Sequence, residues 1–142
     1  MRTTTAVLAA GAAVVAVGVA RLHQEQRHQK QRIDVELARI QMDWLTQVST
    51  NDKLATTWAP EDVDPQAYMQ MMSANRMLCH LRLRDTLGFV TDRQLRFYVS
   101  QLAENDAVRK YVERFGPLRA EEAAENKRAA RFTALLLDTV GA

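Results

Sequence analysis

The strongest constraint in this sequence is an apolar run near its start, Ala6 to Ala20, which contains no charged or hydrogen-bonding side chain. With Thr3–Thr5 and Leu22 the run reaches roughly twenty positions, enough for a helix to cross a hydrocarbon core about 30 Å thick. Much of it is alanine, and Gly11 and Gly18 weaken it further, so its insertion into a bilayer is marginal. We therefore expect residues 1–22 to be a transmembrane anchor that contacts membrane lipid through residues 3–22.

The charges around this run predict its orientation. Arg2 precedes it, whereas a group of basic residues follows it within a few turns: Arg21, Arg27, Lys30 and Arg32. Cationic flanks remain on the cytoplasmic side of a membrane. The sequence thus predicts a single-pass protein of the cell membrane, with its N-terminus outside and its C-terminal domain in the cytoplasm.

Two other interpretations of the same run stay open. The small residues Gly18-Val19-Ala20 would suit cleavage of a secretory signal, which would make this a secreted helical protein. The basic stretch that follows argues against export, because it would begin the mature chain. The run could also be a peripheral or buried segment.

After the anchor, residues 23–50 are expected to form a basic neck and an amphipathic helix. His23 to Arg32 is polar on every face and contains no Gly or Pro, so the anchor helix should continue through it. From there on, apolar residues recur at helical spacing: Ile33, Leu37, Ile40, Trp44, Leu45 and Val48. We expect one helix from about residue 4 to 49, whose last part packs on the remaining domain, residues 51–142.

That domain contains several helix boundary signals. A short helical turn is expected at Asp52 to Trp58, and Asp64 is a suitable N-cap for a helix that Pro65 begins and Gly88 stops. Thr91 and Gln94 fit a capping box for the next helix. The fold class predicted is all-α, with the long amphipathic helix packing on a small bundle of about four further helices.

The C-terminal part is expected to contain a break. Asn105-Asp106 should begin a short helix that Gly116-Pro117 closes, and a final helix should run from about Leu118 to Thr139. The apolar residues expected to face inward are Tyr68, Met71, Met72, Leu78, Cys79, Leu81, Leu95, Tyr98, Val99, Leu102, Val108, Tyr111, Val112, Phe115, Phe132, Leu135, Leu136 and Val140.

Composition excludes some functions. The N-terminal tail carries the excess of basic residues, and residues 33–142 are slightly acidic, so the folded part lacks the basic surface that a nucleic-acid-binding domain needs. Cys79 is the single cysteine, so no intrachain disulfide forms.

No motif for catalysis, nucleotide binding or metal binding is present, and we expect neither an enzyme nor a cofactor. Cys79 and His80 are adjacent on a predicted helix and point about 100° apart, which does not suit two ligands of one metal. His23 and His28 lie five positions apart in the polar neck and are not on one face.

One predicted helix carries a candidate surface for a partner or ligand, formed by Met69, Met72, Asn75 and Arg76. Methionine-rich surfaces adapt to different partners, although the same residues equally fill gaps in a core. Asn75 is of interest because it is polar and lies on the apolar side of the helix. It could bond the end of a neighbouring helix or contribute to a site.

Arginine is abundant in this chain, and several arginines could gather round an anionic ligand: Arg76, Arg82, Arg84, Arg93, Arg96, Arg109 and Arg114. The alternative is local neutralisation in surface ion pairs with nearby acidic residues, which contribute little stability. The acidic candidates are Asp85, Asp92, Glu104, Asp106 and Glu113.

Three segments resemble a family of uncharacterised actinobacterial proteins in which a membrane helix precedes a helical domain: Leu37–Leu45, Asn75–Gly88 and Tyr111–Arg119. Members often carry an aromatic residue where this chain has Val112. The resemblance implies a membrane-tethered helical domain without an established activity, and it transfers no catalytic residue.

The leading functional hypothesis is an anchored interaction module that binds an unknown protein partner, or a second copy of itself, at the cytoplasmic membrane face. The alternative is a small-ligand sensor with a pocket between its helices.

Overall fold

The computed structural model describes the backbone of residues 2–142 and the side chains of residues 14–142. It contains six helices: α1 (Arg2–Thr50), α2 (Asp52–Trp58), α3 (Pro65–Thr86), α4 (Asp92–Ala103), α5 (Asp106–Ala123) and α6 (Lys127–Gly141). No strand occurs in the part of the chain so described, which confirms the all-α prediction. Five helices follow α1, rather than about four.

The chain divides into two units, Met1–Leu37 and Ala38–Ala142. Among the residues whose placement is described, no helix is apolar over a length that would cross a bilayer. Of the expected anchor, residues 1–13 lie outside the described side chains. Val14, Val15, Val17, Val19 and Leu22 are exposed.

The second unit is a bundle in which α5 packs against α3 and α6, and α4 packs against α6. Its core takes side chains from α1 and α3 to α6, with Val48, Leu78, Val99, Phe132 and Leu136 completely buried. Burial of these apolar surfaces is the main force that stabilises the bundle.

Several local signals act as predicted. The Asp64 carboxylate accepts hydrogen bonds from the backbone of Gln66 and Ala67 at the start of α3. Thr91 and Gln94 form the predicted capping box of α4. Gly88 follows α3 with φ of 79°, in the left-handed region that glycine adopts most readily.

The prediction that the apolar stripe of α1 packs on the domain is correct only near the C-terminal end of the helix. Leu45 and Val48 are buried, but four members of the predicted stripe are exposed: Ile33, Leu37, Ile40 and Trp44. Helical spacing identifies an apolar face, but it does not give the length over which other helices cover that face.

The predicted break at Gly116-Pro117 is wrong, because α5 continues through both residues to Ala123. A Cβ atom at Gly116 would lie 2.7 Å from Cδ2 of Leu137, so the glycine permits close packing of α5 on α6. Pro117 is exposed. Helix α6 begins at Lys127 rather than near Leu118, and Asn126 is its N-cap.

This boundary is testable by replacing the cap. The Asn126 Oδ1 accepts hydrogen bonds from the backbone N–H groups of Arg128 and Ala129, both at 3.1 Å. Asn126→Ala leaves these donors without that acceptor and should lower the free energy of unfolding by about 1 kcal/mol in urea denaturation. Ser100→Ala, at an exposed position of α4, is the control. An unchanged midpoint for Asn126→Ala would argue for a helix that begins elsewhere.

Candidate functional site

The candidate site is a cleft in the second unit, between the end of α1 and helices α3 and α5, with a volume of about 290 Å³. Its lining combines aromatic and aliphatic side chains with a few polar ones. The lining residues are Gln41, Trp44, Leu45, Tyr68, Met72, Asn75, Cys79, Arg82, Tyr111, Phe115, Leu118, Arg119 and Glu122. Small-molecule sites likewise combine apolar walls with placed polar groups, although their walls are usually more apolar than these.

Arg119 is the central polar residue of the cleft, and it is 8% exposed. Its Nη1 donates to Oδ1 of Asn75 at 2.9 Å and to Oη of Tyr111 at 3.1 Å. Its guanidinium also lies over the Tyr111 ring, with Cζ 5.7 Å from the ring centre. The guanidinium is therefore held by Asn75 and Tyr111, and Cys79 also lies close enough to act on it.

The second terminal nitrogen of Arg119 is unused. Nη2 is buried and finds no acceptor among the described residues. Glu122 lines the same cleft, but no ion pair between it and Arg119 forms in the described part of the chain. A buried donor without a partner costs about 1–3 kcal/mol, and more when the group is charged.

Tyr111 gives the cleft a second possible donor. Burial raises the pKa of its phenol above 10.0, although the Arg119 charge acts in the opposite direction. The phenol therefore remains protonated at neutral pH. Its oxygen accepts from Arg119, and its O–H donates to no described group.

Cys79 lies on the α3 side of the cleft and is partly buried. Its thiol donates to Oδ1 of Asn75 at 3.4 Å, the same atom that accepts from Arg119. Asn75 thus connects the only cysteine of the chain to the guanidinium.

The predicted partner surface divides in the structure. Met72 and Asn75 line the cleft, whereas Met69 and Arg76 are not among its lining residues. Met72 is buried, Met69 is half-buried and Arg76 is exposed. Asn75 bonds side chains of α5 and of its own helix rather than the end of a neighbouring helix. The basic residues that follow the apolar run are exposed on α1: Arg21, Arg27, Lys30 and Arg32.

The seven arginines considered as an anion site do not gather. Arg109 pairs with Asp106 at 3.7 Å, and Arg114 makes a two-pronged contact with Asp62 in which Nη2 lies 2.8 Å from Oδ1. The Arg114 hydrogen bond lowers the pKa of Asp62. Of the seven, only Arg82 lines the cleft.

A second buried charge lies away from the cleft. Asp85, near the end of α3, is 2% exposed and is approached by Arg131 at 3.3 Å and Arg128 at 3.5 Å, both from α6. Arg131 also pairs with Asp92 at 3.0 Å. This cluster joins α3, α4 and α6 and has a structural role.

The sequence did not single out Arg119, and the wrong break in α5 explains why. Tyr111, Phe115 and Arg119 are spaced i, i+4 and i+8, which places them on one face only if the helix is continuous. Tyr111 and Phe115 also contact each other, with ring centres 5.2 Å apart. Once α5 is known to extend beyond Pro117, an arginine on this otherwise aromatic face is the sequence feature that identifies Arg119 as a candidate site residue.

Within the described part of the chain, no group of three His, Cys, Asp or Glu side chains is arranged to hold a metal ion.

The chain belongs to DUF6082, a family of unknown function whose model matches residues 1–142. Neither the curated proteins nor the solved structures contained a match.

Proposed function

We propose that this member of DUF6082 is a non-catalytic binding protein, and that its second unit takes a small organic ligand in the cleft between α1, α3 and α5. This is the ligand-sensor alternative, which the geometry favours over a flat partner surface. The observation that carries it is a buried guanidinium that lines the cleft and keeps one covered donor, Nη2, without a partner among the described residues.

The dimensions and the lining of the cleft support a small ligand. Its volume of about 290 Å³ lies just below the range for small-molecule sites, roughly 300–1,000 Å³, which restricts it to a small ligand. Trp44, Tyr68, Phe115 and Leu118 offer apolar contacts, while Asn75 and Arg119 offer directional polar ones.

Cys79 provides a direct test, since it is the only thiol and lines the cleft. We expect a small aromatic compound such as 4-phenylbutyrate or 4-phenylbutanamide to slow alkylation of Cys79 by iodoacetamide in the full chain, as followed by intact mass. Occupancy should also raise the melting temperature, because a ligand that binds only the folded state stabilises it. Free cysteine peptide, alkylated under the same conditions, controls for direct effects on the reagent. If neither compound protects Cys79 at millimolar concentration, the small-ligand proposal is wrong.

Binding of a protein partner is the second candidate, and a pair of exposed tryptophans favours it. Trp44 and Trp58 pack edge to face with ring centres 5.6 Å apart, and they are 40% and 58% exposed. Exposed tryptophans of this kind are common at the centres of protein interfaces. A concentration-dependent dimer that Trp58→Ala abolishes, together with the absence of Cys79 protection, would favour this candidate.

We also propose that residues 3–22 hold the second unit at the cytoplasmic face of the cell membrane. The apolar run from Ala6 to Ala20 and the basic residues after it support this proposal. A reporter fused after Ala142 should be active in the cytoplasm, and the protein should stay with membranes during alkaline carbonate extraction. A mature chain that begins at Arg21 in the medium would contradict it.

A further inference from the structure

We infer that the ligand of the cleft carries a single carboxylate, and that Arg119 binds it through Nη2. The inference rests on the proposed function, since it names the chemical class of the molecule that the cleft takes. The ligand is a carboxylic acid with an apolar, preferably aromatic, body.

The first argument is the charge balance of the interior. Asp85 and Arg119 are the only buried charged residues among the side chains that the structure describes. Asp85 has two arginines beside it, at 3.3 and 3.5 Å, whereas Arg119 has Asn75, Tyr111 and Cys79 beside it and no ion pair among the described residues. Oδ2 of Asp85 and Nη2 of Arg119 are both buried without a hydrogen-bond partner there, but only Asp85 has opposite charges next to it. A buried charge is stable when it is paired, so an anion supplied from outside would complete the Arg119 cluster.

The second argument is the geometry of the donors. Nη1 is occupied by Asn75 and Tyr111, so Nη2 is the terminal nitrogen that remains for a ligand. The Tyr111 oxygen lies 3.1 Å from Nη1 of Arg119, so its O–H can donate to the second carboxylate oxygen. The carboxylate would then accept two hydrogen bonds, one from the charged guanidinium and one from the hydroxyl.

The third argument separates a carboxylate from a more highly charged anion. Glu122 lines the same cleft, and its negative charge opposes a dianion such as a phosphate monoester. The lining also contains Arg82, so two arginines and one glutamate leave one net positive charge, which matches one carboxylate. Trp44, Tyr68 and Phe115 then favour an aromatic body over a short polar acid.

Binding requires a small rearrangement, because Nη2 is covered in the unliganded domain. Met72, which lines the same cleft, has a flexible, unbranched side chain, and Tyr68 and Phe115 are only half-buried. We expect side chains of the cleft such as these to move when the ligand binds, with the helices unchanged.

The test compares an acid with its amide of the same shape. By isothermal titration calorimetry of the full chain, 4-phenylbutyrate should bind at least about tenfold more tightly than 4-phenylbutanamide, as expected for one hydrogen bond to a charged group. Arg119→Gln should remove this preference, because it weakens binding of the acid far more than binding of the amide. Arg82→Gln removes an exposed arginine of the same cleft and should keep the preference, which controls for long-range attraction of an anion.

The outcomes separate this inference from the proposed function. Equal affinity of acid and amide in the unmodified chain, with protection of Cys79 by both, would overturn the carboxylate assignment and leave the small-ligand function standing. Absence of binding by both compounds would overturn the proposed function itself.

If Arg119→Gln does not fold, Tyr111→Phe gives a second test, because it removes the O–H donor, retains the ring and should weaken the preference for the acid. A preference for the acid that is unchanged in Tyr111→Phe would also count against the assignment. So would a loss of this preference in Arg82→Gln as large as the loss in Arg119→Gln.

Discussion

Phe132→Ala should lower the free energy of unfolding by about 3–5 kcal/mol, the range for removing a large buried aromatic side chain. Phe132 is 0% exposed and lies in the core that α3 to α6 enclose. The substitution removes its apolar surface from the interior and leaves a cavity that the surrounding helices fill only in part. A domain of this size has about 5–15 kcal/mol of stability in total, so the variant should be close to unfolding at 37 °C.

The measurement is urea denaturation followed by circular dichroism, with Phe97→Ala as the matched control. Phe97 is also a phenylalanine on a bundle helix, but its side chain is exposed. Its removal should therefore change the midpoint much less. Similar losses for the two variants would contradict the assignment of Phe132 to the core and of Phe97 to the surface.

Replacing both Arg128 and Arg131 by glutamine should lower the free energy of unfolding by about 3 kcal/mol, because it leaves the Asp85 carboxylate buried without a cation. Asp85→Asn should lower the free energy of unfolding by less than the double arginine variant does. It removes the buried charge, and the two arginines, which are about half exposed, can turn toward water. The predicted order of stability is therefore the unmodified chain, then Asp85→Asn, then the double arginine variant.

The control for this prediction is a second double variant, Arg109→Gln with Lys110→Gln. These two residues pair with Asp106, which is exposed, so its charge stays hydrated when they are removed. Equal losses in the two double variants would mean that burial of Asp85 does not determine the effect. Urea midpoints for all four proteins decide the order.

Local signals in the sequence were sufficient for most helix starts. Asp64 with Pro65, and Thr91 with Gln94, act through hydrogen bonds to the next few backbone N–H groups, so neighbouring residues contain the necessary information. The all-α class follows in the same way from helical spacing of apolar residues. These features needed no knowledge of tertiary contacts.

Features that depend on distant residues were not predictable. Gly116-Pro117 resembles a helix stop, but the contact of Gly116 with Leu137 of α6 belongs to a continuous α5. Likewise, the exposure of Ile40 and Trp44 depends on how much of α1 other helices cover. The wrong helix break at Gly116-Pro117 also concealed Arg119, because Arg119 shares a face with Tyr111 and Phe115 only if the helix is uninterrupted.

The most direct test of the central claim is to locate 4-phenylbutyrate on the full chain by nuclear magnetic resonance. We predict that amide shifts on titration cluster around Asn75, Cys79, Tyr111 and Arg119, and that the Arg119 guanidinium resonance moves downfield as Nη2 gains an acceptor. Shifts confined to other surfaces, such as the exposed Phe97 on α4, would contradict the account. A spectrum that does not change at saturating acid would contradict it equally.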